Sequence, residues 1–164
     1  MSFDNPYPFV LVCVGPKSYK VDLILHNDSK MRITYDLRSR KDDMSRRRRA
    51  KNIESWEISW YVTDPDHVPH HRDPMRGYRY TYEGLIHNNS MRIMSTLYHA
   101  TEEFKNRVNP KHVHCSTLHD KSKESLSRIH HIILKRIFTD PDYTLTKKEK
   151  TDRTDFFIRR HRRS

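Results

Sequence analysis

Three segments in which apolar and polar residues alternate place the strongest constraint on the fold of this 164-residue chain. They cover residues 19–25, 31–37 and 53–62, and the last has two tryptophans among its apolar positions. Because successive side chains of a strand point to opposite faces, this alternation predicts three half-buried strands. Residues 27–29, Asn-Asp-Ser, supply turn chemistry between the first two strands, which we therefore expect to form a hairpin.

Shorter segments continue the same pattern. Residues 9–14 form an apolar, β-branched run closed by Gly15 and Pro16, which predicts a buried strand that ends in a turn. Residues 78–86 and 91–98 lie on either side of an Asn-Asn-Ser turn and predict a second hairpin. The chain therefore favours a mainly antiparallel sheet.

Nearer the C-terminus the apolar period changes from two residues to three or four. Apolar residues recur at this spacing through residues 126–137, which predicts an amphipathic helix over residues 120–138. Asp140 and Pro141 end this helix, because proline cannot continue it. The predicted fold class is α+β, with a small, mainly antiparallel β-sheet, one long C-terminal amphipathic helix, and a basic loop and tail.

The net charge of +11 comes from two segments. Residues 38–51 hold eight Lys and Arg against two Asp, and residues 147–164 hold eight against three acidic residues. The rest of the chain is neutral overall, as expected of a folded body with basic appendages. We predict a single domain over residues 1–146 with a mobile basic loop at residues 38–52, followed by a basic C-terminal tail.

The arginines and lysines of these two segments are the candidate binding residues. Guanidinium groups bind two phosphate oxygens at once, so a run of arginines suits nucleic acid or another polyanion. For the loop, the alternatives are a solvated segment without a ligand, a nuclear-import signal or a partner helix. For the tail, the apolar triplet at residues 156–158 beside the arginines also suits a membrane surface or an acidic protein groove. The alternative is that the triplet packs on the protein itself and the basic end after it is frayed and binds nothing. The candidate residues are Arg38, Arg40, Lys41, Arg46, Arg47, Arg48, Arg49, Lys51, Arg159, Arg160, Arg162 and Arg163.

Twelve histidines raise the question of a metal site. Residue types suitable for zinc occur together in two places. These are His112, His114, Cys115 and His119, and His67, His70 and His71. Because no CxxC pair exists and the spacing matches no zinc finger, we expect surface or core histidines, with no metal or cofactor. A surface that responds to pH is an alternative.

We expect no enzymatic activity. The three glycines match no nucleotide-binding fingerprint, and no serine lies in a GxSxG elbow. The acid pairs Asp64 with Asp66 and Glu102 with Glu103 resemble the carboxylates of a nuclease metal site. However, the first pair lies in a proline-rich loop and the second lies at the start of a polar stretch. A zinc-dependent nuclease is therefore the least favoured class.

The N-terminus and the cysteines bear on location. The first residues carry an acid and a proline where a signal peptide would be positively charged, so we expect no secretion signal. The longest apolar stretch is far shorter than the ~20 residues that span a bilayer, so we expect no transmembrane segment. Cys13 and Cys115 are too far apart in the sequence to indicate a disulfide framework, which favours a reducing compartment.

Two stretches resemble the matrix proteins of rhabdoviruses. The first covers residues 19–37, with Val-Asp-Leu-Ile-Leu-His-Asn and then Arg-Ile-Thr-Tyr-Asp-Leu. The second covers residues 82–103, from Tyr-Glu-Gly-Leu-Ile through Ile-Met-Ser-Thr-Leu-Tyr-His-Ala-Thr-Glu-Glu. The lysine-rich leader and the proline-rich budding motifs of animal-infecting members are absent, so the chain is most similar to the plant-infecting type. The resemblance implies a structural protein that condenses the ribonucleoprotein, self-associates and bridges it to membrane.

We therefore expect a viral matrix-type structural protein that contacts viral nucleocapsid or RNA and an anionic membrane surface. It is expected to form homo-oligomers and to be located in the virion and the host cytoplasm, with nuclear import left open. The alternative is an RNA-binding viral regulator, a silencing suppressor or movement-type protein. In that case Tyr78, Tyr80 and Tyr82 would stack on bases.

Overall fold

The computed structural model describes residues 3–25, 28–42, 48–63, 66, 68, 71–73, 86–118, 123–139 and 141–161. In chain order the elements are β1 (Val12–Gly15), β2 (Ser18–Ile24), β3 (Lys30–Lys41), β4 (Asn52–Thr63), α1 (Ile86–Val108), β5 (His112–Leu118), α2 (Lys123–Ile137), β6 (Tyr143–Glu149) and β7 (Arg153–Arg160). The strands form one seven-stranded sheet in the order β1-β2-β3-β4-β5-β7-β6. Among these strands β4 and β5 run parallel, and the other neighbouring pairs are antiparallel.

The first four strands form an antiparallel meander. The long strands β3 and β4 pair over their whole length, from Lys30 beside Thr63 to Lys41 beside Asn52. The turn before β3 is closed by a 2.7 Å hydrogen bond from the Leu25 N–H to the carbonyl of Ser29. Alternating apolar residues therefore give this half of the sheet one buried face.

Helix α1 carries the chain from β4 to its parallel neighbour β5, as a parallel pair requires. The helix ends at Val108, and the next residue, Asn109, has a left-handed φ of 50°. The Asn109 N–H donates to the carbonyl of Lys105 at 2.8 Å, which is the bonding pattern of a left-handed helix C-cap. Pro110 follows and prevents further helix, so β5 begins immediately afterwards.

Helix α2 and a C-terminal hairpin complete the sheet. The chain passes through α2 and then forms β6 and β7, and β7 inserts between β6 and β5. The Lys150 N–H donates to the carbonyl of Arg153 at 2.8 Å and closes the turn of this hairpin. The last described residues are therefore part of the sheet.

Both helices pack on one face of the sheet, which we call the inner face. Tyr35 of β3 stacks on Phe104 of α1 with ring centroids 4.3 Å apart, and its hydroxyl lies 3.0 Å from that of Thr101. Trp60 of β4 lies against His130 of α2, with centroids 4.9 Å apart. The opposite, outer face is covered by no helix within the described residues.

The N-terminal segment lies along α1 before it enters β1. The Tyr7 N–H donates to the hydroxyl of Thr96 at 2.8 Å, and Arg107 donates to the carbonyl of Leu11 at 3.0 Å. Phe3, Tyr7 and Leu11 are buried in the same core as the sheet. This segment therefore fixes the position of β1 at one edge of the sheet.

The predicted fold class is wrong. Within the described residues the sheet is mixed and has seven strands, there are two helices, and the last elements are strands and not a long helix. The helical pattern of residues 120–138 corresponds to α2, which is followed by two more strands. The predicted basic tail is largely strand, because Thr154, Phe156 and Ile158 are buried on the inner face of β7.

Two predicted strands also differ. Residues 91–98 belong to α1, because apolar residues continue at helical spacing through Ala100 and Phe104 beyond the short window that resembles a strand. Residues 9–14 include β1, but β1 is an edge strand and its valines are exposed. The predicted strand at residues 78–86 falls mainly outside the described residues.

Candidate anion-binding surface

The register of the sheet brings the two basic segments to the same end. β3 ends and β4 begins at the pair Lys41 and Asn52. β5 begins opposite the end of β7, at the pair His112 and Arg159. Because β4 and β5 run parallel, their starts lie at the same end of the sheet. We call the cationic residues there the basic end: Arg38, Arg40, Lys41, Arg48, Arg49, Lys51, Lys111, Arg159 and Arg160.

Phe157 holds part of this surface together on the outer face. Its ring is only 4% exposed, because the Arg40 guanidinium lies 4.8 Å and the Lys148 ammonium 5.5 Å from its centroid, with His114 stacked at 5.0 Å. A cation over an aromatic ring contributes about 0.5–1 kcal/mol at an exposed site. Arg40 of β3 is thereby held against β7, across β4 and β5.

Within the described residues, the arginines of the basic end have hydrogen-bond donors that no carboxylate accepts. One Arg40 nitrogen donates to the carbonyl of Lys41 at 3.2 Å, while its buried Nε has no hydrogen-bond partner within the described residues. Arg160 donates to the carbonyl of Asn109 at 2.5 Å. In the described part of the chain no residue of the basic end forms an ion pair. The exposed guanidinium groups of Arg38, Arg48, Arg49 and Arg159 are available to an external anion.

The charge of this surface affects His112, which lies among the cations. Burial lowers the pKa of His112, and the positive charges of Arg159, Arg40 and Lys111 lower it further, while Asp42 opposes them. A further positive charge is therefore disfavoured at this position. The same potential attracts an anion.

One carboxylate on the outer face balances part of the charge. Nδ1 of His114 lies 3.5 Å from a carboxylate oxygen of Glu57. Contact with His114 is the main cause that lowers the pKa of Glu57, and the charges of Arg38 and Arg40 lower it further. Glu57 is thus held ionised, and a net positive charge remains around it.

Asp155 pairs with the cations farther along the hairpin. Its carboxylate lies 3.1 Å from the Lys150 ammonium and 3.2 Å from Nε of Arg153, and it also accepts from Ser116 and from Nε2 of His114. Burial alone would raise the pKa of Asp155, but these donors outweigh burial and hold the pKa well below its usual value. Lys150 and Arg153 are therefore already neutralised, unlike the basic end.

The structure brings together those predicted residues that it describes. Arg38, Lys41, Arg48, Arg49, Lys51 and Arg159 are exposed, and Arg40 and Arg160 are half-buried. Arg46, Arg47, Arg162 and Arg163 lie outside the described residues. The candidate residues did not include Lys111, which lies outside both basic segments, or Lys148, which lies at the start of the second one. The Asn-Pro pair that ends α1 was the available signal that a new strand begins beside Lys111.

The strand geometry separates the residues suggested for zinc. His112 and His114 point to the outer face, whereas Cys115 points to the inner face and is buried, which raises the pKa of its thiol to about 12. Within the described residues no three His, Cys, Asp or Glu side chains are grouped to hold a metal ion. His67, His70 and His119 lie outside that part of the chain.

Comparisons with known proteins add no relative. No protein-family model, no curated protein and no solved structure matches this chain. Neither helix, over the residues that the structure describes, is long and apolar enough to cross a membrane.

Proposed function

We propose that this protein is a viral matrix-type structural protein that condenses a ribonucleoprotein and links it to an anionic membrane through the basic end. The observation that carries the proposal is the convergence of two sequence-distant basic segments at one end of the sheet, without ion pairs among the described residues. The proposal includes self-association and a location in the virion and the host cytoplasm.

The rigidity of the surface supports binding to a repeated anion. Arg38, Arg40 and Arg159 project from paired strands, so their backbones lose little freedom on binding. Phosphate contacts position a protein on nucleic acid without reading its sequence. A surface of this kind suits a structural role along a whole nucleocapsid.

The test removes charge from the basic end by substitutions on the outer face of the sheet, one of which, Arg40→Gln, also removes the cation above Phe157. The variant Arg38→Gln with Arg40→Gln and Arg159→Gln is compared with a control that loses the same charge elsewhere. The control carries Arg128→Gln and Lys135→Gln on α2 and Lys147→Gln on β6, all at exposed positions outside the basic end. Binding to single-stranded RNA is measured by fluorescence anisotropy across a salt series, and binding to anionic liposomes by flotation.

The expected result is a change in the salt dependence of RNA binding. If each arginine contacts one phosphate, the slope of log affinity against log salt falls by about 2 in magnitude, at ~0.7 per contact. The control should keep nearly the wild-type slope, and liposome binding should weaken only in the first variant. Equal slopes for both variants would contradict the proposal. RNA binding without liposome binding or self-association would favour the regulatory RNA-binding protein instead.

A further inference from the structure

Phe157 differs from the other apolar side chains that are buried in the described part of the chain. It is 4% exposed, yet it is the one among them that does not belong to the hydrophobic core. Its neighbours Phe156 and Ile158 pack in the core on the inner face, so alternation along β7 places Phe157 on the outer face. The structure therefore holds an aromatic ring on the face of the sheet that no described helix covers.

Charged and polar side chains cover this ring in place of core residues. The Arg40 guanidinium lies 4.8 Å and the Lys148 ammonium 5.5 Å from the ring centroid, and the imidazole of His114 is stacked at 5.0 Å. The two cations are the ends of long side chains that come from β3 and β6. Rotation about side-chain bonds is enough to uncover the ring, and the strands need not move.

The contacts that hold Arg40 over the ring are weak. One of its nitrogens donates to the carbonyl of Lys41 at 3.2 Å, and its Nε has no hydrogen-bond partner within the described residues. A phosphate offers two oxygens to a guanidinium, and such a charge-assisted pair is stronger than a hydrogen bond to a neutral carbonyl. A phosphate nearby therefore draws Arg40 away from Phe157.

A ligand that uncovers the ring should also cover it again. Once Arg40 turns to a phosphate, the ring is exposed to water unless another planar group takes its place. A nucleotide base is such a group, and it is joined to the phosphate. Stacking of a base on an aromatic ring is also stronger than the contact of an exposed cation with a ring.

The charges around Phe157 determine where the phosphates lie. Arg159 lies two residues closer to the basic end on β7, and Arg38 occupies the matching position on β3. Both are exposed. The ionised carboxylate of Glu57 lies opposite His114, level with the ring, and repels phosphates there. The phosphates are therefore favoured at the basic end, with a base directed over the ring.

We propose that the ligand of this outer face is single-stranded RNA, with one base stacked on Phe157 and the adjoining phosphates held by Arg40 and Arg159. Every base has a flat face, so the contact does not select a sequence. The bases of a duplex are paired and stacked within it and do not reach the ring, and an anionic lipid has no base. The inference rests on the proposed function, because it names the form of nucleic acid that the basic end binds.

The first experiment compares two ligands that carry the same phosphates. A short uridine oligomer and an abasic ribose-phosphate strand of the same length are titrated with the full chain at one salt concentration, and binding is measured by fluorescence anisotropy. Because the two strands have equal charge, phosphate contacts contribute equally to both. Stacking of one base should strengthen binding to the uridine oligomer about 5- to 150-fold. Equal affinities would overturn the proposal.

Variants assign the preference for bases to this ring. Leucine keeps an apolar side chain but cannot stack, so Phe157→Leu should bind the two strands with nearly equal affinity. Phe157→Tyr keeps a ring and should keep the wild-type preference. So should Tyr61→Leu, the matched control, because Tyr61 is an aromatic residue of the same outer face, paired with Arg32 away from the basic end. A preference that persists in Phe157→Leu, or is lost in either of the other variants, overturns the proposal.

A duplex RNA of the same length reports whether Phe157→Leu is folded. The duplex contacts the basic end through its phosphates, so this variant should bind it nearly as the wild type does. If it does not, Phe157→Tyr and the wild-type comparison of the two strands decide the proposal. The salt series separates the two ideas, because failure of the proposed function gives equal salt slopes for the arginine variant and its control. Failure of this inference leaves those slopes different and removes only the dependence on bases.

Discussion

Asp155 is the single side chain whose charge should matter most for stability. It is 1% exposed and accepts hydrogen bonds or ion pairs from Ser116, His114, Lys150 and Arg153. Breaking a buried charge network by removing one partner costs about 3–5 kcal/mol. Asp155→Asn keeps the shape and one acceptor oxygen, and the two basic partners are partly exposed and screened. We therefore expect a loss of about 3 kcal/mol in the free energy of unfolding at pH 7.

Urea unfolding followed by tryptophan fluorescence measures this loss, since both tryptophans lie in the core. A loss of that size lowers the melting temperature by about 6–12 °C for a domain of this length, at about 2–4 °C per kcal/mol. Asp152→Asn is the matched control, because Asp152 is exposed in the same hairpin turn. It should change the unfolding free energy by less than about 0.5 kcal/mol.

The dependence on pH provides an independent check. The folded-state pKa of Asp155 lies below the unfolded value of 3.8, so its stabilisation is complete above that value and is lost as the pH falls through the folded pKa. The difference between wild type and Asp155→Asn should therefore be constant from about pH 7 to 5 and narrow below about pH 4. If Asp155→Asn is as stable as Asp152→Asn at pH 7, the buried network does not contribute as argued.

Three further outcomes are expected. Burial lowers the pKa of His130 to about 3, whereas histidine in the unfolded chain takes up a proton below about pH 6.5. The free energy of unfolding of the wild type should therefore fall toward acid pH by up to ~1.4 kcal/mol per pH unit, and less steeply in His130→Asn. Urea titrations at several pH values measure this slope. Phe104→Ala should cost about 3–5 kcal/mol in the same assay, because a fully buried ring stacked on Tyr35 leaves a cavity, and a cost under 1 kcal/mol would contradict this packing. Native protein should react with a thiol reagent at one site per chain, Cys13, and urea should expose Cys115 as a second; two rapid sites in the native state would be inconsistent with its burial.

The alternating strands were predictable from the sequence because their two faces differ in polarity. β2, β3 and β4 cover the three alternating segments, and β3 continues four residues further because Arg38 and Arg40 keep the outer-face positions. Residues 38–41 carry three charges and no apolar side chain, so the alternation typical of a strand is not visible there. Helix α1 was missed because residues 88–90, Asn-Asn-Ser, have the composition of a turn. Burial of Ile93 and Leu97 in the core outweighs the weak helix preference of these three residues.

The candidate surface was predictable in composition but not in arrangement. The sequence identified both basic segments, yet nothing in it indicates that Lys41 and Arg159 lie at the same end of one sheet. That arrangement depends on the parallel pairing of β4 with β5, which joins residues more than 50 positions apart, such as Trp56 and Val113. Phe157 was taken as part of an apolar anchor, whereas the structure buries its ring beneath Arg40.

The parallel pair of β4 and β5 also divides the molecule into two halves with different folding requirements. Strands β1 to β4 form through short-range hairpins, so they can assemble while the rest of the chain is still being synthesised. The C-terminal hairpin is also local, but it joins the first half only after the long connection through α1 has closed, which is an entropically slow step. Arg40 belongs to the early half, and Phe157 and Arg159 to the late half. A nascent chain therefore lacks the assembled cationic surface, which forms only when the two halves join.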